Sequence, residues 1–219
     1  SINGQLLLNA VEVLQSQGEA LTWETAFYKG ASITELEPFA YGPPMMKDIR
    51  HVQMPTGEIV TFTRPQSEDP AKGGRGQIGV VTSDSIDMIK NPSILREAPL
   101  INTRFLPEEW GGINYGIALQ DGKIGVIGHI ARFDSDNKIY HPVSGVFDPS
   151  TNKVAVIEII AMADEFEGVT PKRPELEGVA FCTGMTDPNK DGDVMLFMGV
   201  GDAVTGYKTT RDPFTGLKL

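Results

Sequence analysis

Tyr115-Gly116-Ile117-Ala118-Leu119-Gln120-Asp121-Gly122-Lys123-Ile124-Gly125-Val126-Ile127 decides how the rest of the chain is read. An apolar run enters a polar turn ending in Asp-Gly and resumes as a second apolar run. Asp-Gly in that setting is a hairpin signal, because a tight turn needs positive φ at its centre. The same grammar recurs upstream, where His51-Val52-Gln53-Met54 turns at Pro55-Thr56-Gly57 into Glu58-Ile59-Val60-Thr61-Phe62. It recurs downstream, where Val179-Ala180-Phe181 leads through Asp191-Gly192 into Asp193-Val194-Met195-Leu196-Phe197-Met198. The opening Asn3-Gly4-Gln5-Leu6-Leu7-Leu8 reads as the second half of a fourth copy.

Further strand-like segments follow the hairpins at 23–28, 77–82, 143–147 and 154–160. About four strands per module, at a spacing of about 50 to 70 residues, predict an all-β chain built as propeller blades. The expected blades are 1–40 (partial), 41–108, 109–171 and 172–219, within one domain over 1–219. A β-sandwich also has many short strands and turns, but it does not call for a repeating four-strand unit. Only 32–36 and 83–90 could form a helical turn or two, and neither sustains an apolar stripe.

The 219 residues suffice for one large domain or two small ones. Lys and Arg total 19 against 29 for Asp and Glu, a formal charge of −10, and no stretch concentrates basic residues. Nucleic acid is therefore not expected as a partner, because phosphate binding needs a dense basic surface. The single cysteine, Cys182, excludes an intrachain disulfide framework and fits a reducing compartment, so a cytoplasmic location is expected. As a lone cysteine it reads as a small buried apolar residue. No apolar run reaches the roughly 20 residues of a membrane-spanning helix, and no basic segment precedes the apolar start as in a signal peptide.

Gly74-Arg75-Gly76-Gln77-Ile78-Gly79 matches the dinucleotide fingerprint as a string, but Val80-Val81-Thr82 continues it as a strand and not as the helix whose N-terminus meets a pyrophosphate. Its glycines read as loop residues, and no cofactor is expected. Asp187-Pro188-Asn189-Lys190-Asp191-Gly192-Asp193 begins like a calcium loop, yet its twelfth position is Met198 and no helix flanks it, so it reads as a hairpin turn. His51, His129 and His141 are too far apart for a zinc signature, and no metal is expected.

What remains is a set of polar residues at corresponding points of the modules. Lys47-Asp48-Ile49-Arg50 opens one module, Glu109-Trp110-Gly111-Gly112-Ile113-Asn114 the next, and Lys172-Arg173-Pro174-Glu175 precedes the third; Arg64, His129 and Asp202 follow the hairpins. A carboxylate near cations and amides, with aromatic rings to stack on, is the equipment of a sugar site: an acid for proton transfer and polar groups for hydroxyls or phosphate. The same residues would also serve as surface pairs contributing little.

These stretches resemble a bacterial family of uncharacterised proteins, domain of unknown function 1861. The likeness is carried by Met46-Lys47-Asp48-Ile49-Arg50, by Phe62-Thr63-Arg64-Pro65-Gln66 with Gly73-Gly74-Arg75-Gly76, by Glu109-Trp110-Gly111-Gly112 with Gly128-His129-Ile130, and by Lys172-Arg173-Pro174 with Gly199-Val200-Gly201-Asp202-Ala203. That family in turn resembles the five-bladed propeller enzymes of glycoside hydrolase family 130, mannoside phosphorylases and hydrolases, and more distantly the furanosidase clan. The resemblance implies a five-bladed propeller of which this chain covers three and a half to four blades, with an N-terminal part outside it. A further segment or another copy is then expected over the open strand edges.

The resemblance also implies that Asp48 is the proton donor, that Arg64, Arg75 and His129 lie near phosphate positions, and that Asp202 lies near the sugar. With Arg50, Glu109, Asn114 and Arg173 as further substrate contacts, the expected activity is hydrolysis or phosphorolysis of a glycosidic bond in an oligosaccharide or smaller substrate. The alternative is a carbohydrate-binding or interaction propeller without catalysis.

Overall fold

The computed structural model describes residues 1–14, 22–67, 74–103 and 105–217, so Gly73 lies outside the described residues. The chain divides into two compact units, Ser1–Ile101 and Asn102–Leu219.

The first unit holds two antiparallel meanders. One is formed by β1 (Leu6–Leu14), β2 (Thr22–Gly30) and β3 (Glu37–Tyr41); the other by β4 (Arg50–Gln53), β5 (Ile59–Thr63) and β6 (Gly79–Ser83). Its core gathers Phe27, Ile49, Ile59, Ile89 and Leu95, all at most 1% exposed. The expected helical turns occur as short 3-10 segments at Ile33–Glu35 and Ile86–Lys90. A single-turn helix α1 (Pro92–Arg96) follows, begun by Pro92 and by the Asn91 side chain, which accepts from the Ser93 N–H at 3.2 Å.

In the second unit, β7 (Trp110–Ala118), β8 (Ile124–Asp134), β9 (Asn137–Asp148) and β10 (Lys153–Ile159) form a four-stranded meander. A three-stranded one follows, of β11 (Ala180–Met185), β12 (Asp193–Val200) and β13 (Val204–Arg211). The Asp121-Gly122 turn joins β7 to β8 with φ of 58° and 69°, the left-handed pair that this dipeptide tolerates. Leu119, Ile127, Cys182, Leu196, Met198 and Phe214 pack between these strands at no more than 1% exposure.

Four strands per module are therefore found once among the described residues; the other three sheets have three each. Among the described residues no helix is long and apolar enough to cross a membrane.

Candidate functional site

The hairpin β4–β5 builds the first cluster. Its register pairs Arg50 with Phe62 and His51 with Thr61, and two further steps along it bring Asp48 opposite Arg64. Arg64 Nη1 donates to Asp48 Oδ2 at 2.8 Å, with Asp48 7% and Arg64 3% exposed. Asp48 has φ of 60°, a conformation that Asp tolerates better than most residues. Gly76, at φ 136°, lies against the guanidinium so closely that a Cβ there would stand 2.6 Å from Arg64 Nε. The turn carrying Gly76 is tied down by the Gln66 side-chain amide, which donates to the Arg75 carbonyl at 2.9 Å, and by the Ser67 N–H on the Gly74 carbonyl at 2.9 Å.

Arg50 is half-buried and donates through Nη1 to the Ile49 carbonyl at 2.8 Å, an oxygen that Asn9 Nδ2 also reaches at 2.5 Å. Burial lowers the Arg50 pKa from its ordinary value, and the negative charge of Asp48 opposes that shift. His51 shares a hydrogen bond between Nδ1 and Thr61 Oγ1 at 2.9 Å, and burial, with Arg50 alongside, pushes its pKa down to about 3. It is a neutral imidazole at physiological pH.

The second cluster lies in the other unit. β7 and β8 pair regularly up to Ile113 opposite Gly128 and resume at Tyr115 opposite Ile127, so Asn114 is the extra residue of a β-bulge. A bulge re-aims a side chain, and here Asn114 Oδ1 meets His129 Nδ1 at 2.9 Å, both residues buried. His129 stacks on Tyr140 with ring centroids 5.3 Å apart and an interplanar angle of 18°, and Phe181 covers it at 5.0 Å. Trp110 Nε1 donates to the Tyr140 hydroxyl at 3.2 Å. Gly111 lets β7 come this near, since a Cβ there would lie 2.1 Å from the His129 carbonyl oxygen.

The remaining expected residues sit differently. Glu109 accepts the Leu106 N–H at 2.9 Å and so closes a turn ahead of β7. Arg173 is exposed and pairs with Glu175 at 3.2 Å. Asp202 is exposed in the β12–β13 turn with φ of 52°, and Arg75 is exposed in the turn that carries Gly76. Cys182 is wholly buried, and burial raises its thiol to about 11. In the former calcium-like segment the Asn189 side chain accepts the N–H groups of Asp191 and Asp193 at 2.9 and 3.0 Å, a hairpin turn. Two participants were not expected from the sequence, Tyr140 and the Gly76 cradle. The β8–β9 turn at Ser135-Asp136 sets Tyr140 opposite Ala131, two residues from His129, and was the available signal for the first.

The chain is similar to a mannose phosphorylase from Leishmania mexicana solved in complex with phosphate ion: identity is 32%, the TM-score is 0.89, and the match covers 98% of this chain and 66% of that one. It is similar to a GDP-Man-dependent mannosyltransferase from the same organism at 30% identity and a TM-score of 0.87, covering 100% of this chain and 68% of the other. An endo-arabinase from Bacteroides thetaiotaomicron shares the fold at 12% identity and a TM-score of 0.57, over 93% and 75% of the two chains. No curated protein sequence matches. The chain thus spans about two thirds of the length of the Leishmania proteins. Its fold places it in a class of all-β proteins that includes carbohydrate-active enzymes. Within that class it belongs to the family described as protein of unknown function (DUF1861), whose model matches residues 1–216.

Proposed function

We propose that the protein is a carbohydrate-active enzyme of the five-bladed propeller type, which moves a mannosyl group between a sugar oxygen and inorganic phosphate. The buried Asp48–Arg64 pair under Gly76 carries this reading, and the likeness to a mannose phosphorylase supplies the sugar and the acceptor. An ion pair removed from water costs several kcal/mol per ion before its attraction repays it, so it is a poor device for stability alone. As a site it supplies both halves of phosphorolysis. As monobasic phosphate enters and takes over Arg64, it gives a proton to the Asp48 carboxylate; Asp48 passes that proton to the glycosidic oxygen as the bond to the anomeric carbon breaks, while a phosphate oxygen forms the new bond to that carbon. Arg64, with Arg50 nearby in sequence and Arg75 on the adjoining turn, balances the anionic charge.

Within the second unit, Asn114 and His129 on their aromatic platform are a candidate saccharide-binding pair. Glu109, Arg173 and Asp202, also in the second unit, remain candidate substrate contacts in this reading. A second reading, transfer of mannose from a nucleotide sugar, is favoured by the likeness to the GDP-Man-dependent transferase.

Incubation of the purified protein with manno-oligosaccharides, with and without phosphate, and separately with GDP-mannose distinguishes the two. The proposal expects a mannosyl phosphate that forms only when phosphate is present. Oligosaccharide growth from GDP-mannose alone would favour the second reading, and saccharide binding with no turnover in any mixture would leave a non-catalytic binding protein.

A further inference from the structure

The second unit has a cleft of about 520 Å³ that the expected site residues do not account for. Three segments wall it: the β8–β9 turn with the start of β9, the stretch 162–171, and the residues flanking β11 and the end of β12. Its walls are fixed. Lys208 Nζ reaches both the Glu165 carboxylate at 2.5 Å and the Ile160 carbonyl at 3.0 Å, the Ile160 N–H donates to the Pro142 carbonyl at 2.9 Å, and the Lys172 N–H donates to the Gly201 carbonyl at 2.9 Å. Preformed clefts of roughly 300 to 1,000 Å³ with an apolar floor and a few polar groups are the usual form of small-molecule sites.

The lining has a definite chemistry. Ile139, Phe166 and Val200 give it apolar surface, while Asn137, Asp164 and Glu177 bring oxygen and amide groups that are exposed. No Lys or Arg is among the described residues that line it. His141 also lines it, and its Nδ1 is buried with no hydrogen-bond partner among the described residues. Burial and the charge of Arg132 lower the His141 pKa against the opposing effect of Asp164, which favours an uncharged imidazole. Carboxylates and an amide accept from hydroxyl donors, a neutral imidazole can do either, and a phenyl ring packs against the C–H face of a sugar. A phosphate or nucleotide would meet carboxylates but no Lys or Arg among the described lining residues.

We propose that this cleft binds a neutral saccharide, the hydroxyl-rich portion of an oligosaccharide and not its phosphorylated or nucleotide-linked forms. The proposal deepens the carbohydrate reading of the protein and rests on it.

Its test is binding of mannobiose, mannose 6-phosphate and spermidine, followed by calorimetry and by ¹⁵N spectra of the histidine ring nitrogens, in the wild type, Asp164→Asn/Glu177→Gln and Asp48→Asn. The expected result is mannobiose binding that shifts the His141 resonances, weakens about tenfold in the double variant and persists in Asp48→Asn. Mannose 6-phosphate is expected to bind at least tenfold more weakly. Mannobiose binding that ignores the double variant and leaves His141 unmoved would overturn the proposal, as would binding of spermidine alone. The turnover assay, run in parallel, separates the two readings: turnover without the His141 response defeats this proposal only, and the His141 response without turnover defeats only the enzymatic one.

Discussion

Gly76 shows how much one residue can hold in place. It has no side chain, a φ of 136° and the Arg64 guanidinium in the space where a Cβ would go. Gly76→Ala is expected to cost about 1–3 kcal/mol through backbone strain and displacement of Arg64, read as a lower denaturant midpoint with turnover falling further than stability. Arg64→Ala leaves the Asp48 carboxylate buried without its ion-pair partner and is expected to cost about 3–5 kcal/mol. Asp48→Asn is milder, because Asn accepts the same left-handed φ and keeps an oxygen for Arg64 to donate to. His51 gives a pH signature. Its folded pKa of about 3 lies below the ordinary 6.5, so the unfolded chain binds the extra proton between those values. The stability it contributes is present above pH 6.5 and is lost as the pH falls toward 3. In urea titrations over that window, His51→Gln is expected to lessen the slope of stability against pH by up to about 1.4 kcal/mol per pH unit. An unchanged slope would show that His51 is not held neutral.

At the scale of the elements, the hairpins were legible because their turns carry Gly or Asp-Gly between apolar runs, and turn chemistry is local. A turn centred on Thr56 makes any two positions whose numbers sum to 112 face each other, so the meeting of Asp48 with Arg64 was implicit in the register. The Asn114–His129 contact was not, because a bulge shifts the count by one and no local signal in Ile113-Asn114-Tyr115 announces it. Two strands also escaped the sequence. β3 contains Pro38, and β13 reads Val-Thr-Gly-Tyr-Lys-Thr-Thr-Arg with mostly exposed side chains. Edge strands of that kind lack the apolar alternation on which strand reading depends. The bulge is itself testable. Deleting Asn114 should let β7 and β8 pair in plain register, turning the residues on one side of the bulge to the opposite face, and the expected outcome is loss of cooperative unfolding. Asn114→Ala keeps the bulge and removes only its bond to His129, so a smaller cost of about 1–3 kcal/mol is expected in chemical denaturation.

For the molecule as a whole, a formal charge of −10 sets the background against which the proposed anionic co-substrate would have to be held, and the buried Arg64 is the cation that the proposed function assigns to it. Like charges at a distance are screened by salt, whereas a buried pair is screened much less, so phosphate affinity at Arg64 is expected to change little between low and physiological ionic strength. The proposed role of Asp48 is to move the proton in a phosphate-dependent mannosyl transfer. Its most direct measurement is the rate of mannosyl phosphate formation from a manno-oligosaccharide and phosphate, by wild type and by Asp48→Asn of matched circular dichroism and melting behaviour. Phosphate-dependent product is expected from the wild type, with a rate at least about 100-fold lower in Asp48→Asn. Equal rates from the two proteins, or no product from the folded wild type at saturating phosphate, would contradict it.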